Sequence, residues 1–146
     1  MDEGKQNRVN DVSERFGKGF YCSQALLSAY CAGTGLDERN ALKISCGLGA
    51  GMGRTCQTCG AVTGAYLVIG LRHGSVSPAD TEAVERTFSL IQEFDERFRE
   101  KHGSVNCRDL LGVDLRYGDQ DEAGEKVGAV CPQLVKDAAE ILETIL

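Results

Sequence analysis

The chain has 146 residues, of which 42 % are hydrophobic and 26 % are charged, and its formal net charge is −6. A chain of this length buries enough surface to fold as one domain, residues 1–146, without disulfide cross-links. Its acidic balance and lack of basic runs argue against nucleic acid and anionic membranes as partners. The polar N-terminus and the absence of an apolar stretch as long as a membrane span predict a cytoplasmic protein with reduced thiols.

The first part of the chain is predicted to be helical. Residues 1–9 are polar and are expected to be frayed, and a weak helix follows to about Phe16. A second helix is predicted from about Cys22 to Ala32, where a glycine pair ends it. Asp37 is a favourable N-cap residue, so a third helix is expected directly after it.

The middle of the chain combines a glycine-rich segment with an apolar helix. Residues 47–53 alternate glycine with other residues, which suits neither a helix nor a strand, so an ordered loop is expected to pack beside Cys59. A fourth helix is predicted from about Thr58 to Arg72 and is apolar on nearly every side, as a central buried helix would be. Gly60 and Gly64 lie on one face and would allow another backbone to approach closely.

The last part of the chain is predicted to hold three helices. The sequence Ser77–Asp80 is a strong start signal for a fifth helix, which continues to about Lys101. A short helix is expected over Cys107–Leu111, and residues 113–122 are loop-like. The final helix is expected to begin at Pro132. No alternating pattern argues for strands, so the prediction is an all-α bundle of about five to seven helices.

Cysteine is the residue type that points to chemistry in this chain. Four of the seven cysteines fall where a helix is expected to begin, and they are Cys22, Cys59, Cys107 and Cys131. The N-terminus of a helix presents unpaired N–H groups and a partial positive charge, which favour a thiolate. The sequence therefore predicts one shared sulfur site, with Cys59 as the best candidate for the attacking thiolate.

A CxxC motif adds a fifth cysteine to this site. Cys56 and Cys59 could form a redox dithiol or half of a metal site, and Cys56 is predicted to be a fifth member of the cluster. Cys31 and Cys46 lie near helix ends and are interpreted as small buried hydrophobic residues. The two histidines each precede a glycine that ends a helix, so helix capping accounts for them without a ligand role.

The chain resembles the family of redox-active proteins called C_GCAxxG_C_C after its signature, from about Gly19 to the C-terminus. The first signature cysteine matches Cys22, the central element matches Cys59–Gly64, and the last two cysteines match Cys107 and Cys131. Thr58 stands where the signature has a glycine before the central cysteine, and the alanine follows one residue later. The resemblance implies a redox role for the four cysteines, without naming a reaction.

Three functions remain open from the sequence. The first is thiol–disulfide exchange or electron transfer, as in a thiol–disulfide oxidoreductase, with Cys59 attacking and Cys56 or Cys22 completing the disulfide. The second is a zinc or iron–sulfur site held by Cys22, Cys59, Cys107 and Cys131. The third is a non-enzymatic helical interaction module with packed cysteines. The redox partner or electron donor is not identified, and a homo-oligomer is left open.

Overall fold

The computed structural model describes residues 1–146 and contains seven right-handed α-helices and no β-strand, which confirms the all-α prediction. The only β-type pairing is an isolated antiparallel bridge between Thr58 and Asn106. The helices are α1 (Glu3–Gly17), α2 (Cys22–Tyr30), α3 (Glu38–Cys46), α4 (Gly60–His73), α5 (Thr81–His102), α6 (Cys107–Leu111) and α7 (Gln120–Ile145).

The N-terminal segment is helical from Glu3, so the expectation that residues 1–9 are frayed is wrong. The carboxylate of Asp2 accepts a hydrogen bond from the Lys5 N–H at 2.9 Å and caps the first turn. Val9 and Val12 are completely buried on the inner face of α1. Their spacing places an apolar stripe against the rest of the bundle, and this packing stabilises a helix whose other residues are mostly polar.

Helix α4 is the buried centre of the molecule, as its composition predicts. Eight of its residues are buried, including both of its first two, and it packs mainly against α2. A β-carbon added to Gly64 would lie 2.8 Å from the Ser23 Cα, so this glycine allows the backbones of α2 and α4 to approach closely. The predicted close approach is therefore confirmed at Gly64. Neither α4 nor any other helix is long and apolar enough to cross a membrane.

The glycine-rich segment forms a left-handed helical turn between α3 and α4. The turn spans Gly49–Gly53, and the five residues from Ala50 to Arg54 all have positive φ, between 58° and 69°. Three of these residues are not glycine. Left-handed backbone costs about 1–2 kcal/mol for each such residue, so the surrounding packing must hold the turn in place.

The last helix begins at Gln120, and the prediction that it starts at Pro132 is wrong. Asp119 caps it by accepting a hydrogen bond from the Glu122 N–H at 2.9 Å. Proline at the first turn is a common start signal, but here Pro132 lies inside the helix. Because proline has no N–H, it donates no helical hydrogen bond to the Gly128 carbonyl. Cys131 therefore lies in the middle of α7 and not at a helix start.

Candidate functional site

Five cysteines come together at one end of α4. Cys22, Cys59, Cys107 and Cys131 line one cavity of about 310 Å³, and Cys56 is buried beside Cys107. Each of the five is at most 9 % exposed, and all are free thiols. The structure thus brings together the five cysteines that the sequence predicted for the site, from three helices (α2, α6 and α7) and the CxxC segment before α4.

The local sequence sets the position of two of these cysteines at helix starts. The side-chain oxygen of Gln24 accepts the Tyr21 N–H at 3.1 Å, so α2 begins at Cys22. Asn106 caps α6 by accepting the Arg108 N–H at 3.0 Å, which makes Cys107 the first residue of that helix.

Backbone pairing joins the CxxC segment to the start of α6. The Cys59 N–H donates to the Val105 carbonyl at 2.8 Å, and the Cys107 N–H donates to the Gln57 carbonyl at 2.6 Å. These two bonds flank the Thr58–Asn106 bridge. They fix the distance between two sulfur-bearing segments that lie almost fifty residues apart in the chain.

The left-handed turn packs directly on the Cys56 and Cys107 side of the site. A β-carbon added to Gly51 would lie 2.6 Å from the Cys107 Cβ and 2.9 Å from the Cys56 Cα. The Gln57 N–H donates to the Gly51 carbonyl at 2.9 Å, and the Leu115 N–H donates to the Cys56 sulfur at 3.1 Å. Cys56 itself has a φ of 57°. Backbone strain therefore lies beside the sulfurs, as it often does at functional sites.

Burial opposes the ionisation of two of the cysteines at helix starts. Cys59 is the N-cap of α4, and the N–H groups of Ala61 and Val62 favour its thiolate, yet burial raises the pKa of Cys59 to about 11. Burial, followed by the neighbouring Cys59 and Cys56, raises the pKa of Cys107 to about 12. The expectation that Cys59 is the activated thiolate is therefore not supported, because desolvation outweighs the helix N-terminus.

Cys131 is the cysteine of the site whose environment favours a thiolate. Hydrogen bonding with the Cys22 side chain lowers the pKa of Cys131 against the opposing effect of burial. The same contact, with burial and the three other cysteines of the cavity, raises the pKa of Cys22 well above its usual range. Cys22 and Cys131 therefore form an interacting pair, in which the pKa of Cys131 is the lower of the two.

The sulfurs do not form a ready ligand set for a metal. No three cysteine, histidine, aspartate or glutamate side chains lie close enough together to hold one metal ion. Instead, Cys22 acts on the ionisation of Cys131, and Cys56 acts on that of Cys107. The four-ligand shell of Cys22, Cys59, Cys107 and Cys131 is therefore not preformed, and zinc does not fit the observed arrangement.

The two remaining cysteines lie outside the cavity. Cys31 is buried, as predicted, and its thiol donates to the Ser28 carbonyl at 3.2 Å. Cys46 is exposed, so the prediction that it is a buried hydrophobic residue is wrong. It is the last residue of α3 and lies beside the outer side of the left-handed turn, where no element covers it.

The apolar wall of the cavity and one buried carboxylate could not be assigned from the sequence. The wall includes Phe16, Phe20, Leu111, Leu115 and Val127, which come from three helices and two links between helices. Asp137 is buried on α7, with its Oδ2 atom 2.9 Å from His102 Nε2 in a geometry that does not align as a hydrogen bond. His102 therefore contacts a buried carboxylate in addition to lying at the end of its helix.

One comparison with known proteins gave a match. The family model described as "Putative redox-active protein (C_GCAxxG_C_C)" matches residues 20–145. This range contains all five cysteines of the cavity region and all of the helices from α2 onward. No curated protein and no solved structure matches the chain.

Proposed function

The chain belongs to the C_GCAxxG_C_C family, and we propose that it is a thiol–disulfide redox protein with Cys22 and Cys131 as its reacting pair. The observation that carries the proposal is the position of these two free thiols in the wall of one cavity, where Cys22 lowers the pKa of Cys131. The family description supports redox activity in general, and this pair supports a dithiol as its chemical form.

The reaction that fits this pair is two-step thiol–disulfide exchange. The Cys131 thiolate attacks one sulfur of a disulfide substrate, which forms a mixed disulfide and releases the other half of the substrate as a thiolate. Cys22 then loses its proton and attacks the Cys131 sulfur, which releases the second half as a thiolate. The two protein thiols are oxidised to one disulfide, and the substrate disulfide is reduced to two thiols.

Cys56 and Cys107 form a second pair that can supply a further two electrons. Cys56 contributes to the raised pKa of Cys107, of which burial is the main cause, so Cys107 ionises less readily than Cys131. Cys59 lines the same cavity as Cys22 and Cys107, and burial raises its own pKa to about 11. It is therefore a neutral thiol at neutral pH, and we assign no ionised role to it.

The proposal is tested by equilibrating the reduced protein with dithiothreitol buffers of increasing potential and mapping its disulfides by mass spectrometry. The expected first product is the Cys22–Cys131 disulfide. It should be absent in Cys22→Ala and Cys131→Ala. It should persist in Cys31→Ala, the matched control, because Cys31 is also buried but does not line the cavity.

Metal analysis of the same preparation separates the proposal from the alternatives. A metal-free protein that forms the Cys22–Cys131 disulfide supports the dithiol. Stoichiometric zinc or iron with all four cavity cysteines protected would overturn the proposal in favour of a metal centre. Thiols that react only after denaturation would overturn it in favour of a helical interaction module.

A further inference from the structure

We propose that the substrate of this site is a small, uncharged disulfide that enters the cavity. The inference rests on the proposed function and specifies which disulfide class the Cys22–Cys131 pair reduces. Three properties of the cavity carry it: the burial of its sulfurs, a wall in which the reacting Cys131 thiolate is the one charged group, and its volume.

The burial of the sulfurs disfavours a protein disulfide as substrate. Cys22 and Cys131 are each 9 % exposed, and no cysteine of the cavity projects from the surface. Exchange requires the attacking sulfur to reach a substrate sulfur directly. A disulfide in a folded partner protein cannot reach these buried thiols. A small molecule can enter where the cavity reaches the exposed residues Gly19 and Tyr21.

The composition of the wall disfavours a charged substrate. None of the lining residues is an aspartate, glutamate, lysine, arginine or histidine, and most are apolar. Arg54, the cation next to the CxxC motif, is exposed and does not line the cavity. A carboxylate would lose its hydration here and would face the Cys131 thiolate, and an ammonium group would lose its hydration with that thiolate as its single ionic partner. An apolar group would gain free energy from burial.

The volume limits the size of the substrate. At about 310 Å³ the cavity lies at the lower end of the range for small-molecule sites, roughly 300–1,000 Å³. Phe16 and Phe20 contribute one side of the wall, and Leu111, Leu115 and Val127 contribute to the rest. A short dialkyl disulfide fits such a space, while a peptide disulfide such as oxidised glutathione brings both excess volume and several charges.

The test compares two probes that share a skeleton and differ in charge. The reduced protein is mixed with dithiodiglycolate or with its dimethyl ester, and formation of the Cys22–Cys131 disulfide is followed by mass spectrometry. Each rate is divided by the rate of the same probe with a free small thiol, which removes intrinsic reactivity. The expected result is a normalised rate at least tenfold higher for the ester. Equal normalised rates, or a faster dianion, would overturn the inference.

A variant with a cation in the wall gives an independent measurement. Val127 lies on α7 one turn before Cys131 and is half-buried, so Val127→Lys should place an ammonium group at the cavity and raise the normalised rate of the dianion several-fold. Val130→Lys is the matched control, because Val130 is half-buried on the same helix but does not line the cavity. An unchanged preference in Val127→Lys would count against substrate entry through this cavity.

The two proposals fail in different ways. If neither probe produces the Cys22–Cys131 disulfide, the proposed thiol–disulfide function is wrong. If both probes produce it without the tenfold preference, the function stands and the inference about the substrate is wrong.

Discussion

At Cys59, two opposing effects act on the same sulfur. The N–H groups of Ala61 and Val62 favour the thiolate, and burial favours the neutral thiol, which raises the pKa to about 11. At Cys131 the balance is reversed, because hydrogen bonding with Cys22 outweighs burial and lowers the pKa. A helix N-terminus therefore does not activate a cysteine by itself when the sulfur is largely removed from water.

The raised pKa of Cys59 predicts a pH dependence of stability. An unfolded cysteine ionises near pH 9, while the folded Cys59 stays neutral to about pH 11, so the unfolded state is favoured increasingly across this window. At 1.36 kcal/mol for one pKa unit, the loss from this residue is about 2 kcal/mol at pH 11 and approaches about 3 kcal/mol at higher pH. Cys59→Ala should lack this contribution to the pH dependence of stability. Chemical denaturation under reducing conditions, at pH 8 and at pH 10.5, will measure it.

The quantity compared is the change in the free energy of unfolding between pH 8 and pH 10.5, because lysine and tyrosine titration affects both proteins equally. The variant should lose less stability than the natural protein between the two pH values. An equal loss would show that Cys59 ionises in the folded protein near its usual pKa.

The positions of the cysteines at helix starts can be predicted from the sequence, whereas their pKa values cannot. Helix-start signals identified Cys22, Cys59 and Cys107 correctly, because caps such as Asn106 are local features. Their pKa values depend on burial and on sulfur neighbours from other helices, which one sequence does not reveal. The exposure of Cys46 cannot be predicted from the sequence either, because it depends on which elements pack over the end of α3.

At the scale of elements, the left-handed turn Gly49–Gly53 shapes one side of the cavity. It was predicted as an ordered loop, and its alternating glycines are consistent with positive φ at Gly51 and Gly53. Its handedness was not predicted, because Ala50, Met52 and Arg54 disfavour this conformation. Contacts with Cys56, Cys107 and the CxxC backbone hold the turn, so its conformation depends on the sulfur site.

Gly51→Ala should disrupt the turn more than Gly53→Ala does. The two glycines have nearly equal φ, 64° and 67°, so left-handed strain costs about 1–2 kcal/mol in either variant. At Gly51 the new methyl would also clash with Cys107 and Cys56, while at Gly53 its nearest neighbour is 3.7 Å away. Urea denaturation should show that Gly51→Ala loses at least about 2 kcal/mol more.

The turn should also control the thiols next to it. Alkylation of Cys56 and Cys107 in the native state should accelerate in Gly51→Ala and remain unchanged in Gly53→Ala. Equal stabilities and equal labelling rates in the two variants would refute the contact between this turn and the sulfur site.

The boundaries of α7 show why proline is a weak guide to a helix start. Pro132 follows Cys131 and resembles an N1 proline, yet Asp119 and Glu122 provide the cap that the structure uses. Residues 113–122 were predicted as a loop because they are polar. The helix extends back through polar residues because Ala123, Val127 and Cys131, at intervals of four, face the rest of the bundle.

At the scale of the whole molecule, one buried network joins the two ends of the chain. Glu143 on α7 is 5 % exposed and accepts hydrogen bonds from Arg8 Nε at 2.7 Å and from the Tyr30 hydroxyl at 3.0 Å. The three residues belong to α1, α2 and α7. The network therefore holds the helices that carry Cys22 and Cys131 in one arrangement.

Arg8→Gln should destabilise the protein by about 2 kcal/mol. The substitution leaves the buried Glu143 carboxylate with one neutral partner, the Tyr30 hydroxyl. The expected loss of stability lies between those for exposed and buried ion pairs, because the Arg8 side chain is 42 % exposed. Lys18→Gln is the control, since Lys18 and Glu14 are both largely exposed and their pair contributes less than about 0.5 kcal/mol. Similar melting temperatures for both variants would contradict a structural role for the network.

The fold class followed from the sequence, and the cavity did not. Helical periodicity in segments such as Gly60–His73 and Thr81–His102 reflects local burial and is readable without a structure. The wall of the cavity combines Phe16 and Phe20 with residues of α6 and α7, so it exists only after distant helices pack. The sequence predicts that Cys59 pairs with Cys56 or Cys22, and the proposed pair Cys22–Cys131 depends in the same way on the packing of distant helices.

Native-state alkylation of all seven thiols across pH tests the assignment of Cys131 as the reactive thiolate most directly. Iodoacetamide is applied to the reduced, folded protein, and mass spectrometry follows each cysteine. Among the buried cysteines, Cys131 should react first and at the lowest pH, well before Cys59 and Cys107, whose pKa values are raised to about 11 and about 12. Labelling of Cys59 ahead of Cys131, or no labelling of either before unfolding, would contradict it.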